Sequence, residues 1–207
     1  MANKIYLIRH AAVNKPKEKI YAGNIDLKLS DEGIIQANKL GEFFSTLNIK
    51  KVYSSYLSRA VDTGKIISEK CFCQNEIMQG FQEINLGKWE GMPFSEIKEK
   101  NPEEFAKRGK DMLNFSTPLG ESFFQVQQRA WSAFLEIAEK TFVDETGDVV
   151  IVSHDGVNKT IISKITGIDF NECFNIKYGY CSVNVITSNN TGYHIAINVS
   201  LDKLQQK

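Results

Sequence analysis

Two histidines and two arginines stand where short apolar runs of this chain stop. Arg9 and His10 follow Ile5-Tyr6-Leu7-Ile8, and Ser153-His154 follows Val149-Val150-Ile151-Val152. Arg59 lies just beyond Lys51-Val52-Tyr53-Ser54. Singly, each has an ordinary reading. A histidine at a strand end is more often a hydrogen-bonded structural residue than a catalyst, an arginine early in a helix is more often solvated, and Glu83 alone would be a loop carboxylate. The conjunction is different. Gathering several cations costs free energy unless an anion completes the group. A phosphoryl group has the charge and acceptor geometry that guanidinium forks match. A neutral imidazole attacks phosphorus and departs from a labile phosphohistidine, and positive charge around the transferring oxygens is most of what phosphoryl transfer asks of a protein. The leaving alkoxide needs a proton, which a carboxyl of raised pKa gives and then recovers from the attacking water. Phe81–Gly91, FQEINLGKWEG, carries the best-placed candidates. Glu83 leads, Glu90 competes with it, and Trp89 reads as a core anchor. His194, the third histidine, has no cationic neighbour in sequence and reads as structural.

Such residues need a frame that converges. Strands are expected at Lys4–Arg9, Lys51–Ser54, Val149–Ser153, Ser182–Thr187 and Tyr193–Val199, with a weaker one near Glu76–Gln79. VVIVS is apolar on both faces, as a central parallel strand is. Helices fall between them. Ser30 caps one, with Asp31 and Glu32 in its first turn; a second covers about Leu57–Lys70. Phe94–Gly109 carries short helices broken by Pro102. Ser122-x-x-Gln125 reads as a capping box opening a helix to about Phe142. Another helix starts near Gly156 and ends at Gly167. This alternation implies an α/β fold with a mostly parallel sheet and helices on both faces. The last two strands lack a helix between them, so one edge is expected to be antiparallel. Ligands of such sheets sit beyond the carboxyl ends of the strands, where Arg9-His10, Ser54-Ser55 and Ser153-His154 all fall.

Composition bounds the partners. The chain has 207 residues and a formal net charge of zero, which argues against a nucleic-acid partner but leaves room for a small anion held by a local cluster. No apolar run approaches the roughly 20 residues that span a bilayer. The first strand begins within a few residues of Met1, so no leader is expected and the cytoplasm is the expected compartment. Cys71, Cys73, Cys173 and Cys181 form no CxxC pair and read as reduced, packed thiols.

The ordered motifs resemble the histidine phosphatase superfamily, the phosphoglycerate mutase-like enzymes. LIRHA at 7–11 is similar to the Arg-His-Gly motif, YAGNIDLKLSDEG at 21–33 to the Gly-x-x-Asp-x-x-Leu-Ser-x-x-Gly block, and VYSSYLSRAVDT at 52–63 to the Ser-x-x-x-Arg-Ala-x-x-Thr block. QEINLGKWEG, PLGES at 118–122 and VVIVSHDGV at 149–157 complete the set. The resemblance implies a three-layer α/β/α sandwich with a six-stranded sheet, one domain over 1–207, and a substrate-cap insertion at about 90–120. It implies His10 as the phosphorylated nucleophile, Arg9, Arg59 and His154 as the phosphate pocket, and Glu83 as proton donor. Tyr21-Ala22-Gly23 is implied to approach the substrate, and Glu121 to support the site from behind or simply favour a helix N-terminus. No metal or organic cofactor is implied.

Three positions depart from the pattern. Ala11 replaces a glycine. Pro16 stands where an asparagine is usual, with Asn14 the nearby candidate for its phosphate contact. Asp155 replaces a glycine, either holding the His154 imidazole or capping a helix. The expected activity is hydrolysis of a small phosphorylated metabolite, with α-ribazole 5′-phosphate, a late intermediate of cobalamin assembly, as the leading example. A phosphoglycerate mutase is the alternative, disfavoured because Glu83-Ile84-Asn85-Leu86-Gly87 lacks the mutase Glu-Arg-x-Tyr-Gly form. A non-catalytic phospho-ligand sensor comes third. The segment from Phe94 to Pro118 is the expected specificity surface, its apolar residues facing either a ligand or the core.

Overall fold

Successive residues of β1 (Ile5–Arg9) and β4 (Asp148–Ser153) point to opposite faces of a sheet, and both faces are apolar. Ile5, Leu7, Val149 and Ile151 enter one buried cluster; Tyr6, Ile8, Val150 and Val152 enter another. Strands buried on both sides require a layer on each. The computed structural model, which describes residues 3–143 and 147–201, supplies them. On one face Leu40, Phe43 and Phe44 of α1 (Asp31–Ser45) and Ile67 of α2 (Ser58–Cys71) pack on the sheet. On the other lie α5 (Phe123–Ala138) and α6 (Asp155–Thr166), through Phe134, Ile137, Val157 and Ile161. The result is a three-layer α/β/α sandwich. The remaining elements are β2 (Ile49–Ser54), β3 (Gln74–Ile77), α3 (Phe94–Lys100), α4 (Pro102–Lys110), α7 (Phe170–Asn175), β5 (Val183–Asn189) and β6 (Gly192–Val199).

The six strands lie in the order β3-β2-β4-β1-β5-β6. β3, β2, β4 and β1 run parallel, β5 opposes β1, and β6 opposes β5. The antiparallel pairing expected at this edge is therefore made by β5, with β6 outside it. Register aligns the carboxyl ends: Arg9 is opposite Ser153, and Ser54 is opposite Val152. The residues following these three ends emerge on one edge of the sheet.

Local chemistry explains the boundaries. The Ser30 hydroxyl accepts from the Gly33 N–H at 3.1 Å. Ser122 and Gln125 form a reciprocal capping box, after which α5 runs into a π-helical turn over Glu139–Val143. The N-terminus of α2 has no cap from its own Leu57; Asp26 takes the Ser58 N–H and hydroxyl, each at 2.8 Å. β3 begins at Gln74, two residues before the expected Glu76, because Lys51–Ser54 of β2 pairs with Gln74–Ile77. The short α7, capped by Asp169, has too few residues for its period to show in the sequence.

Gly33 shows how tightly the loop after β1 is fitted. A Cβ there would lie 1.9 Å from the Ala12 carbonyl oxygen, which already accepts the Ser30 N–H at 3.0 Å. Gly33→Ala is expected to destabilise the fold by about 3 kcal/mol, through a clash with backbone that no rotamer relieves. Urea unfolding tests this; an unchanged midpoint would show that the loop yields freely.

Candidate active site

His10 is held by its own backbone. Its Nδ1 lies 2.8 Å from the Ala11 carbonyl oxygen, which only accepts, so Nδ1 carries the proton. In the neutral ring, Nε2 then keeps its lone pair. Ala11 is fully buried, donates its N–H to Thr63 Oγ1 at 3.1 Å, and is not among the residues of positive φ. Its methyl group therefore costs no backbone strain, and the departure from glycine leaves the loop intact.

Arg59, in the first turn of α2, reaches across to the residue after β4. Its Nε donates to His154 Nδ1 at 3.3 Å, Nη1 to the Ile25 carbonyl at 2.6 Å and Nη2 to the Gly23 carbonyl at 2.8 Å. His154 is fully buried, with Nε2 2.8 Å from Ser55 Oγ. Because Arg59 donates to Nδ1, the proton of the neutral His154 ring sits on Nε2 and points at Ser55. The two imidazole centroids are 5.2 Å apart. Arg9 donates to the Tyr178 carbonyl at 2.7 Å, and its guanidinium carbon stands 4.3 Å from the centroid of the Tyr180 ring. Arg9 Nε is buried with no partner, a donor still free for an anion.

These groups surround a cleft of about 520 Å³. Arg9, His10, Arg59, Glu83, Ala22 and Gly23 line it, as does Tyr180. His154 sits behind the wall, in contact with it through Arg59 and the His10 ring. Glu83 reaches the cleft from the loop before Gly87. Its Oε1 accepts the Ile84 N–H at 2.9 Å and would be 2.9 Å from a Cβ on Gly156, so the carboxyl lies beside the start of α6. Arg129 of α5 fixes this loop, donating to the carbonyls of Gly80, Gln82 and Glu83 while pairing with Glu121 at 2.9 Å. Glu121 in turn accepts the Asn85 N–H at 2.9 Å.

Other expected residues lie elsewhere. Asn14 is exposed; its amide donates to the Leu29 carbonyl at 3.3 Å, and it is not among the lining residues. Tyr21 also lies off the cleft, buried and stacked at 3.9 Å on Phe94. Glu90 is turned to the backbone, one oxygen accepting from Asn24 and Leu86 at 2.9 and 2.8 Å. It clamps the Gly23 turn from one side as Arg59 does from the other. Trp89 is buried against Tyr21 and Phe115. Asp155 caps nothing and does not hold the imidazole; it pairs with the buried Lys159 at 2.9 Å. His194 is exposed near the start of β6, bonded to Asn189 and Thr191. The four cysteines are free thiols. Phe105, Met112, Leu113 and Phe115 pack on the core, and among the described residues none from Phe94 to Pro118 lines the cleft. Instead it is the loop Lys15–Ile20 that does. Three lysines within five positions were the available signal for that loop; Ser55 stands at the carboxyl edge where the end of β2 was expected to bring it, whereas nothing signalled Tyr180 or Arg129, which reach the site only through tertiary contacts.

Burial sets the protonation states. It lowers His10 well below the usual imidazole range, aided by Arg59 and opposed by the Ala11 carbonyl. His154 is lowered in the same way, by burial first and then by Arg59 and His10. Burial raises Glu83, against the Ile84 N–H and Arg59. Both shifts run in the direction that favours a neutral imidazole beside a protonated carboxyl. The linkage is explicit. Below about pH 6.5 the unfolded chain protonates histidines that the fold keeps neutral, so their contribution to stability is complete above that pH and is lost as pH falls. His10→Gln is expected to lose less Tm than the unsubstituted protein between pH 7 and pH 5. Equal losses would contradict a depressed His10.

Comparison with known proteins agrees with the geometry. The sequence profile of the histidine phosphatase superfamily (branch 1) matches residues 5–199. Phosphoserine phosphatase 1 of Hydrogenobacter thermophilus is 30% identical over 183 residues, covering 88% of this chain and 85% of the relative. A metal-independent phosphoserine phosphatase of Arabidopsis thaliana is 31% identical over 166 residues, covering 79% of this chain and 68% of the relative. Among solved structures, Bacillus stearothermophilus YhfR superposes with a TM-score of 0.85 at 28% identity, over 97% of this chain and 99% of that one. The α-ribazole phosphatase of Shigella flexneri superposes with a TM-score of 0.84 at 21% identity, over 96% of each chain; that likeness is one of fold.

Proposed function

This chain belongs to the histidine phosphatase superfamily, and on that footing we propose that it is a phosphomonoester hydrolase working through a phosphohistidine at His10. The observation that carries the reading is the fixed tautomer: with Nδ1 tied to the Ala11 carbonyl, the nucleophilic pair is on Nε2. In the first step the Nε2–P bond forms and the ester P–O bond breaks, with Glu83 giving its proton to the leaving oxygen. In the second, water attacks phosphorus, its proton passes to the Glu83 carboxylate, and the P–N bond breaks. Arg9 and Arg59 offer their free N–H groups to the phosphoryl oxygens, so the protein's own guanidinium groups stabilise the transferring charge. His154, neutral and hydrogen-bonded to Arg59, holds that arginine against the anion from behind the cleft wall.

The whole chain acts as one domain in this reading. The 90–120 insertion works as a cap from behind: Phe94 donates to the Lys19 carbonyl at 3.1 Å and stacks on Tyr21, and Ser95 donates to Glu18 at 2.6 Å. It braces the cleft-lining loop and the Tyr21–Gly23 turn, while Asn14 secures the loop's other end. Among the described residues no helix is long and apolar enough to cross a membrane, and a cytoplasmic metabolite fits the reading.

Two relatives of about 30% identity are named phosphoserine phosphatases, which places O-phosphoserine beside α-ribazole 5′-phosphate as a substrate to test. The deciding experiment incubates the enzyme with 4-nitrophenyl phosphate, O-phosphoserine, α-ribazole 5′-phosphate, and 3-phosphoglycerate with its bisphosphate primer. Phosphate release without primer is expected. Primer-dependent isomerisation with little release would make the protein a mutase, and silence toward all four would make it a binder.

A further inference from the structure

Beyond the phosphoryl pocket the cleft wall is cationic. Lys15, Lys17 and Lys19 all line it in a protein whose overall charge is zero. None of the ion pairs among the described residues uses them. Glu18, which also lines the cleft, accepts the Ser95 hydroxyl. Two of the lysines are placed by aromatic faces: Lys15 Nζ is 4.8 Å from the Tyr180 centroid, and Lys19 Nζ is 4.6 Å from that of Phe94. The segment is fastened at both ends. Val13 bridges to Leu29 and Ile20 to Pro93, and the Asn14 N–H donates to the Lys28 carbonyl at 3.1 Å.

A phosphoryl group against Arg9, His10 and Arg59 fills only part of about 520 Å³, a volume within the range of whole small-molecule sites. The rest of the ligand must lie along the lysine wall. We propose that Lys15, Lys17 and Lys19 form a subsite for a second anionic group, a carboxylate or a further phosphate, carried on the same phosphomonoester. This rests on the phosphatase reading and narrows its substrate class. Each exposed lysine contributes modestly, but Lys15, Lys17 and Lys19 join Arg9 and Arg59 against only the carboxyls of Glu18 and Glu83 in the lining, and such a surplus of positive charge in a cleft concentrates anionic ligands. The ring contacts limit the motions of Lys15 and Lys19, so less side-chain freedom is lost on binding.

The test uses matched pairs. 3-Phosphoglycerate and glycerol 3-phosphate differ by a carboxylate; fructose 1,6-bisphosphate and fructose 6-phosphate differ by a phosphate. The intact enzyme is expected to show a higher kcat/KM for the more anionic member of at least one pair, and the responding pair identifies the group. In K15Q/K17Q/K19Q that ratio is expected to fall about tenfold; single K15Q and K19Q variants, at exposed positions that leave the core untouched, give partial losses. Raising salt from 50 to 500 mM should shrink the ratio in the intact enzyme more than in the triple variant. Hydrolysis of both members with no preference, or a preference untouched by the substitutions, overturns this subsite and leaves the phosphatase standing. No hydrolysis of any of these esters or of 4-nitrophenyl phosphate overturns both.

Discussion

His10→Ala is expected to abolish phosphate release, lowering kcat on the order of 10⁴-fold or more. The loss is that of a covalent route, since Arg9, Arg59 and Glu83 stay in place but have nothing to receive the phosphoryl group. Circular dichroism and Tm should change little, because the ring's one hydrogen bond is to the next residue's carbonyl at 2.8 Å. The decisive companion measurement is a label. Enzyme quenched during turnover of a ³²P-labelled ester should retain radioactivity through alkali and lose it in acid, as a P–N bond requires, and the alanine variant should retain none. An alkali-stable label on His10→Ala would remove His10 from the mechanism.

Glu83→Gln should separate the two half-reactions. With alkyl phosphates, whose leaving oxygen needs a proton, kcat/KM is expected to fall about 10²- to 10³-fold. With 4-nitrophenyl phosphate the first step needs little help, yet the second lacks its base. The expected trace is a burst of nitrophenol followed by a slow steady state. The pH dependence follows from the raised pKa of the buried carboxyl. Its protonated form is the competent acid, so activity falls as pH rises through that pKa, and Glu83→Gln should erase this limb. Stability gives an independent sign. A group that holds its proton more tightly folded than unfolded contributes most at low pH and loses that contribution as pH rises. Glu83→Gln is therefore expected to be relatively more stable than the parent at pH 8 than at pH 4. An unaltered profile would move the proton-transfer role away from Glu83. Glu90 is an unpromising replacement, since it is fastened to two backbone N–H groups of the Gly23 and Leu86 turns.

Sequence alone reached the architecture through periodicity. VVIVS and IYLI are apolar at every position, and only a strand covered on both faces buries such a run. Caps at Ser30 and Ser122 were equally legible, because a cap is a relation between residues three apart in the chain. The gathering of Arg9, His10, Arg59 and His154 was legible for a related reason, while Glu83, on a loop, was reached through the motif it belongs to. Parallel strands deliver their carboxyl ends to one edge, so residues far apart in the chain are bound to meet there.

What tertiary structure alone decided is where each polar side chain finds its partner. Two carboxylates of one loop, Glu83 and Glu90, are indistinguishable as residue types; packing beside α6 turns the first to the cleft and backbone N–H groups hold the second away. Asn14 and Tyr21 fell near the expected positions, yet a carbonyl claims one and Phe94 the other. Arg129 braces the acid's loop from a helix 46 residues further along, and the exposed lysines at 15, 17 and 19 join the cleft wall because bridges at Val13 and Ile20 fasten their loop there. Strand and helix are dictated by short-range periodicity, whereas a hydrogen bond or a buried proton depends on distances and on desolvation, and both exist only once distant segments have been packed together.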